Sequence, residues 1–167
     1  MISAIFSIEA SQLTTTQGAR EEVMKLFYVL RGIMRGLHSK DHFALFFDWF
    51  YPDYFSHVVE GALNAFFEDD EVTLVVLKFL TEMVFSRNNR LRFDTWTING
   101  LIVFKETAKY LTQLLKLYDC LRAKQVKPKS QGGDLYHSKM KYLSMILKAY
   151  RHMITGNYIN FAVCEYY

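Results

Sequence analysis

The stretch EVTLVVLKFLTEMVF, residues 71–85, decides the fold class of this chain. Its apolar residues lie on nearly every side of a helix, and Lys78 interrupts the densest part of the run. A helix that is apolar all round has to be covered on several faces. The stretch therefore predicts a helix in the middle of a layered array rather than at the edge of a small bundle.

Four acidic residues, Glu68-Asp69-Asp70-Glu71, come directly before this helix. Four carboxylates could bind a cation, but an EF-hand loop needs ligands at alternating positions over about twelve residues. Carboxylates also cap the unpaired N–H groups and face the positive dipole end at a helix start. We therefore favour a helix cap over a metal site.

The residues before the acidic run predict two more helices. The first carries one apolar stripe, and its Gly32 and Gly36 weaken the helix but let a neighbouring helix approach closely. The second covers about residues 41–67, with a kink or break expected near Tyr51 because Pro52 lacks a backbone donor. The stripe of the first helix is Val23, Leu26, Phe27, Leu30, Ile33, Met34 and Leu37.

Two further helices are predicted after a polar loop over residues 86–93. Asp94 and Thr97 are candidate caps for a helix over about residues 98–121. A flexible loop near 122–134 follows, because it contains Pro128 and Gly132-Gly133. The last long helix, about residues 135–154, has an apolar stripe at Tyr136, Met140, Leu143, Leu147, Tyr150 and Ile154.

These elements predict an all-α fold, in which HEAT-like antiparallel helix pairs stack as a fragment of an α-solenoid. The pairs are roughly 40 to 50 residues long, which is the length of HEAT-type units. We expect a single helical-repeat segment over residues 1–167, with about three helix pairs. The periodicity alone would fit a single irregular bundle almost as well.

Composition restricts the function classes. The 167 residues include 51% hydrophobic and 22% charged residues, with only 8 Gly and 2 Pro, which favours helices over an all-β fold. A net charge of +3 is too small to indicate nucleic-acid binding. No signal peptide and no membrane-spanning run are evident, so we expect a soluble intracellular chain with no membrane insertion. Cys120 and Cys164 are expected to be reduced and mostly buried.

The search for catalytic chemistry finds no constellation, so we expect no enzyme, no cofactor and no metal. Gly132-Gly133 lacks the Lys-Ser/Thr of a phosphate loop, and Cys120 has no His partner in sequence. His38 and His42 could form a metal pair, but they straddle a helix start, and surface histidines are the commoner case. The aromatic run 43–51 could line a ligand cage, but core packing is favoured.

Basic residues give the candidate partner-binding sites. Lys105, Lys109 and Lys116 recur at helical spacing, either as a strip for an acidic partner or as a solvated face. Arg90 and Arg92 in the preceding loop could extend the same surface. The basic residues Arg122, Lys124, Lys127 and Lys129 resemble a nuclear-localisation tract, which is a weak signal.

Four sequence stretches carry a family resemblance. They are LTTTQGAREEVMKLFYVLRGI at 13–33, RLRFD at 90–94 running into NGLIVFKETAK at 99–109, and GNYINF at 156–161; FDWFYP at 47–52 agrees with them. Together they resemble the central-to-C-terminal part of exportins of the importin-β superfamily, least clearly over residues 123–137. These stretches are packing and capping patterns, not catalytic motifs.

The resemblance implies a nuclear transport receptor that shuttles between nucleus and cytoplasm. Such receptors are HEAT-repeat solenoids that bind cargo proteins, Ran-GTP and the Phe-Gly repeats of nucleoporins. Family members are much longer, and their main Ran contacts lie in N-terminal repeats that this chain lacks. A helical-repeat scaffold for other proteins, without Ran dependence, is the alternative expectation.

Overall fold

The computed structural model describes residues 18–91, 98–124 and 132–156, with side chains for 18–88, 90–91, 98–116 and 140–156. Every regular element in this part of the chain is helical, which confirms the all-α prediction. The α-helices are α1 (Ala19–Gly36), α2 (Lys40–Phe50), α3 (Ser56–Phe66), α4 (Asp70–Met83), α5 (Asn99–Lys124) and α6 (Gly132–Thr155). A π-helical turn, Tyr51–Phe55, joins α2 to α3, and a 3-10 turn, Arg87–Asn89, follows α4.

Helix α1 buries most of the predicted stripe. Five of its apolar residues are buried: Val23, Leu26, Phe27, Leu30 and Met34. Ile33, which the stripe included, is exposed instead. Gly32 and Gly36 have open space where a Cβ would stand. Within the described residues, therefore, no neighbouring helix uses the close approach that the two glycines would allow.

Pro52 does not break the second predicted helix. Phe50 and Ser56, on either side of the π-helical turn, both keep right-handed helical angles, and the Tyr51 N–H still donates to the Phe47 carbonyl. Proline clashes with the carbonyl four residues earlier, and a π turn widens the helix at that point. The predicted irregularity near Tyr51 is confirmed, but it takes the form of a widened turn in a continuous helix.

The acidic run caps α4, as predicted. The Asp69 carboxylate accepts the main-chain N–H groups of Glu71 and Val72 at 3.0 and 3.1 Å. The helix behind it is covered on several faces, which confirms the interpretation of residues 71–85. Its buried residues are Val72, Thr73, Val75, Val76, Leu77, Phe79, Leu80, Thr81 and Met83.

The last two helices are longer than predicted. Helix α5 runs to Lys124 and α6 begins at Gly132, so helix occupies both ends of the predicted loop near 122–134. The expected caps Asp94 and Thr97 lie outside the described residues. The predicted stripe of α6 is wrong in part. Met140, Leu147 and Ile154 are exposed, and the helix buries Ile146, Ala149 and Met153 instead.

The helices form two layers. In the first layer α1, α4 and α6 lie side by side and point the same way. Arg20 binds Asp69 at the start of α1 and α4, and Arg35 approaches Glu82 near their ends. The Tyr142 hydroxyl donates to the Asp70 carbonyl, and the His152 ring lies 4.5 Å from the Phe85 ring, which sets α6 parallel to α4.

The second layer contains α2, the π turn and α3 as one continuous helix, beside α5. Asn99 donates to Asp48 at 3.2 Å and Lys109 to Glu60 at 2.6 Å, so the two helices of this layer are parallel. They run opposite to the first layer, since Phe66 meets Thr73 while Phe50 meets Phe79. Antiparallel helix pairs stacked in one direction are the arrangement of a HEAT-like solenoid.

Candidate partner-binding surface

The predicted basic strip lies on α5, in the second layer. Lys105, Lys109 and Lys116 are all exposed on α5. Their spacing of four and seven residues places them on one face of the helix. The strip therefore exists as a surface feature, and a partner could reach it.

Lys109 makes defined contacts with two neighbouring side chains. Its ammonium donates to the Glu60 carboxylate at 2.6 Å and lies 5.1 Å from the centroid of the Tyr110 ring. This hydrogen bond raises the pKa of Lys109 and lowers the pKa of Glu60. The Tyr110 hydroxyl also donates to Glu60 at 3.2 Å. Lys109 is thus held in place, and Glu60 offsets part of its charge.

Arg90, proposed from sequence as a surface contact, lies in the interior. It is 2% exposed, and its guanidinium donates to the main-chain carbonyls of Met34 in the last turn of α1, Leu37 just after α1, and Glu82 in α4. Burial lowers the pKa of Arg90 to about 10, which keeps it charged at neutral pH. The carbonyls at helix C-termini lack intrahelical partners, so a buried cation that satisfies them stabilises both helix ends. Arg92 lies outside the described residues.

An ion cluster joins the N-terminal ends of α1 and α4. Arg20 Nε donates to Asp69 Oδ2 at 2.6 Å, and its guanidinium also pairs with Glu71. Burial alone would raise the pKa of the Asp69 carboxyl, but the bonds from Arg20 and Val72 outweigh it and the pKa is lowered. The sequence predicted Asp69 only as a cap, since no local pattern indicates a partner that lies 49 residues away.

The aromatic run 43–51 is divided between core and surface. Phe43, Phe47 and Phe50 are buried, as the core interpretation predicted. Leu45 and Trp49 are exposed on the opposite side of α2. The core interpretation covered the whole run, so this outer face was not predicted. The helical spacing of Asp41, Leu45, Asp48 and Trp49 is the signal that could have revealed it.

The remaining predicted features concern metals, cysteines and membranes. In the described residues no cluster of three or more His, Cys, Asp or Glu side chains is arranged to hold a metal ion. His38 precedes α2 and His42 lies in its first turn, where the Ser39 hydroxyl accepts the His42 N–H. Cys164 and the side chain of Cys120 lie outside the described parts. Among the described helices, none is long and apolar enough to cross a membrane.

Comparison with known proteins finds relatives over nearly the whole chain. Exportin-7 of Dictyostelium discoideum is 32% identical over 166 residues, which cover 99% of this chain and 16% of the relative. Exportin-7-B of Xenopus laevis is 34% identical over 155 residues, covering 90% of this chain and 13% of the relative. Ran-binding protein 17 of Mus musculus is 30% identical over 164 residues, covering 93% of this chain and 14% of the relative.

The chain is a homologue of exportins. This finding confirms the resemblance to exportins of the importin-β superfamily. The chain spans only 13 to 16% of the length of these three relatives. No protein-family model and no solved structure matches it significantly.

Proposed function

We propose that this chain is a segment of a nuclear transport receptor, which in its longer form binds cargo and Ran-GTP for protein export. The observation that carries the proposal is the similarity to Exportin-7 over 99% of the chain. The two-layer stack of parallel helices supports it, because solenoids of this kind present extended binding surfaces. The relatives are named for transport and for binding rather than for catalysis.

The strip of Lys105, Lys109 and Lys116 is the surface that we assign to an acidic partner, either cargo or Ran. The three side chains are exposed on one face of α5. Exposed charges of one sign speed the approach of an oppositely charged partner and make binding depend on salt. Glu60 beside Lys109 holds one ammonium in a fixed position, which lowers the entropic cost of using it.

Charge reversal in the longer receptor tests this assignment. The change of Lys105, Lys109 and Lys116 to Glu should weaken partner binding by about tenfold or more, and should reduce its salt dependence. A matched control reverses Lys141, Lys148 and Arg151, which are exposed on α6 in the other layer and give the same change in net charge. Equal affinity for the strip variant and the control would contradict the assignment.

The dependence on nucleotide tests the proposed class of receptor. Binding of the longer protein should be strong with Ran-GTP and weak with Ran-GDP. Binding to cargo with no difference between the two nucleotides would favour a helical-repeat scaffold without Ran. As a transport receptor the protein should also bind nucleoporin Phe-Gly repeats and shuttle between nucleus and cytoplasm, which a fluorescent fusion would reveal.

A further inference from the structure

Helix α2 presents an apolar ridge to solvent, here called the Trp49 ridge and formed by Leu45 and Trp49. Leu45 is 70% exposed and Trp49 is 51% exposed. Four residues separate them, so they are neighbours on one helix face. A single exposed leucine is ordinary, but tryptophan is one of the residues that carry most of the binding energy at protein interfaces.

Neighbouring aromatic rings hold Trp49 in position. Its ring lies 5.8 Å from Phe46 in an edge-on arrangement and 5.3 Å from Tyr54. Phe50, a core residue, lies 6.1 Å from it. A side chain that is already fixed loses little conformational freedom when a partner binds it. The ridge is therefore preorganised, although it is exposed.

Acidic residues flank the ridge along the chain. Asp41, Asp48 and Asp53 are all exposed on α2 and the π turn that follows it. Lys40 is the basic residue on the same stretch, so the local balance from 40 to 55 is two negative charges when histidine is neutral. Asn99 of α5 donates to Asp48 at 3.2 Å and fixes this carboxylate beside the start of α5.

We propose that the Trp49 ridge binds a protein segment that carries one apolar side chain flanked by lysine or arginine. The apolar side chain would pack on Leu45 and Trp49, and the flanking cations would meet Asp41, Asp48 and Asp53. Aromatic rings also attract cations over their faces, which adds to the preference for arginine near Trp49. This surface is separate from the basic strip, and the proposal does not depend on binding to Ran.

A peptide array tests the proposal with the full chain. Each peptide carries Leu, Phe or Trp at its centre, and the flanks are Lys and Arg, or Ser, or Asp and Glu. The labelled chain should bind the basic-flanked peptides at least tenfold more tightly than the serine-flanked ones, and acidic flanks should abolish binding. Equal binding to basic and neutral peptides, or binding to none, would overturn the proposal.

Variants then locate the site. With the best basic-flanked peptide, Trp49→Ala should reduce affinity at least tenfold, and Asp48→Asn with Asp53→Asn should reduce the preference for basic flanks. Tyr28→Ala is the control, since Tyr28 is an aromatic residue 49% exposed on α1. The double Asn variant keeps the apolar surface, so it remains informative if Trp49→Ala fails to fold. Loss of affinity in the control alone would refute the location.

A second copy of the chain is the competing occupant of the ridge. Sedimentation velocity over a range of concentrations distinguishes it from a partner segment. The chain should sediment identically with and without Trp49→Ala. A dimer that dissociates when Trp49 is replaced would show that the ridges of two copies pack against each other. That result would overturn the proposal.

Discussion

The guanidinium of Arg90 lies over the ring of Phe43, with Cζ 5.2 Å from the ring centroid. This contact connects the turn after α4 to the first turn of α2. The same guanidinium donates to carbonyls at the ends of α1 and α4, so one side chain joins three helices. A residue that sequence analysis assigned to a partner is therefore central to the interior of the chain.

Substitution of Arg90 by methionine should destabilise the chain strongly. Met fills similar space but leaves the carbonyls of Met34 and Leu37 without the Arg90 donor, while the Glu82 carbonyl keeps the Phe85 N–H. The expected cost is about 3 kcal/mol in the free energy of unfolding. Arg90→Lys keeps the charge but offers one ammonium to three acceptors, so it should lose less. Urea denaturation followed by circular dichroism gives both values. A Met variant as stable as the wild type would show that the carbonyls have other partners.

Asp69 combines a helix cap with an ion pair, and two substitutions separate them. Asp69→Ala removes both and should cost about 1 to 2 kcal/mol, the usual cost of losing an N-cap. Asp69→Asn can still accept the N–H groups of Glu71 and Val72, so it should cost less, and added salt should reduce that cost further. Thermal melts of the three proteins at low and high salt measure the difference.

Acid should weaken the same contact. The folded pKa of Asp69 lies below its unfolded value, so its stabilising contribution is present above the unfolded pKa and is lost as pH falls through the folded pKa. This loss of stability should occur below about pH 4. The free energy of unfolding is measured against pH for the wild type and for Asp69→Asn. The difference between the two curves gives the contribution of the Asp69 carboxylate. A difference that does not change with pH would contradict the assigned pKa shift.

Local patterns were sufficient to predict most of the fold. The cap at Asp69, the all-round apolar α4 and the irregularity at Pro52 depend on residues within a turn or two of each other. Arg90 could not be placed in this way, because its partners at Met34 and Leu37 are more than fifty residues away. Its surroundings in sequence are polar, and they resemble those of an ordinary surface loop.

The face of α6 shows a second limit of periodicity. Two apolar stripes run along this helix, one through Met140, Leu147 and Ile154 and the other through Ile146, Ala149 and Met153. Regular spacing favoured the first, but the structure packs the second against α4 and α5. Periodicity indicates which residues share a face, and only the position of a neighbouring helix decides which face is buried. The exposure of Lys105, Lys109 and Lys116 was predictable, because charged side chains are mostly exposed. Their role in partner binding stays a prediction.

His152 should make the contact between α4 and α6 sensitive to mild acid. Burial lowers its pKa, and the nearby Lys148 and Arg151 lower it further, while Glu82 acts in the opposite direction. The unfolded chain therefore takes up a proton at higher pH than the folded chain. The contribution of this histidine to stability is complete above about pH 6.5 and falls as pH drops through the folded pKa.

The His152→Gln variant provides the comparison. It removes the titrating group, so the loss of stability between pH 7 and pH 5 should be smaller in the variant than in the wild type. Chemical denaturation at matched ionic strength measures the free energy of unfolding for both. Parallel profiles of the free energy of unfolding against pH would show that His152 binds a proton equally well in the folded and unfolded chain. That result would exclude His152 as the source of the acid sensitivity.

Gly32 offers a test of whether the outer face of α1 packs against anything. A Cβ built at this position meets no atom within 4 Å, and the residue lies inside a helix. Gly32→Ala should therefore stabilise the isolated chain by about 0.5 to 1 kcal/mol, because alanine loses less backbone entropy on folding.

The substitution should destabilise a longer receptor if a neighbouring helix lies close to α1, since the new methyl group would then collide with that helix. Unfolding measurements on the two proteins compare these signs directly. Stabilisation in both would show that the glycine serves no close helix contact, and destabilisation in the isolated chain would contradict the open space found around it.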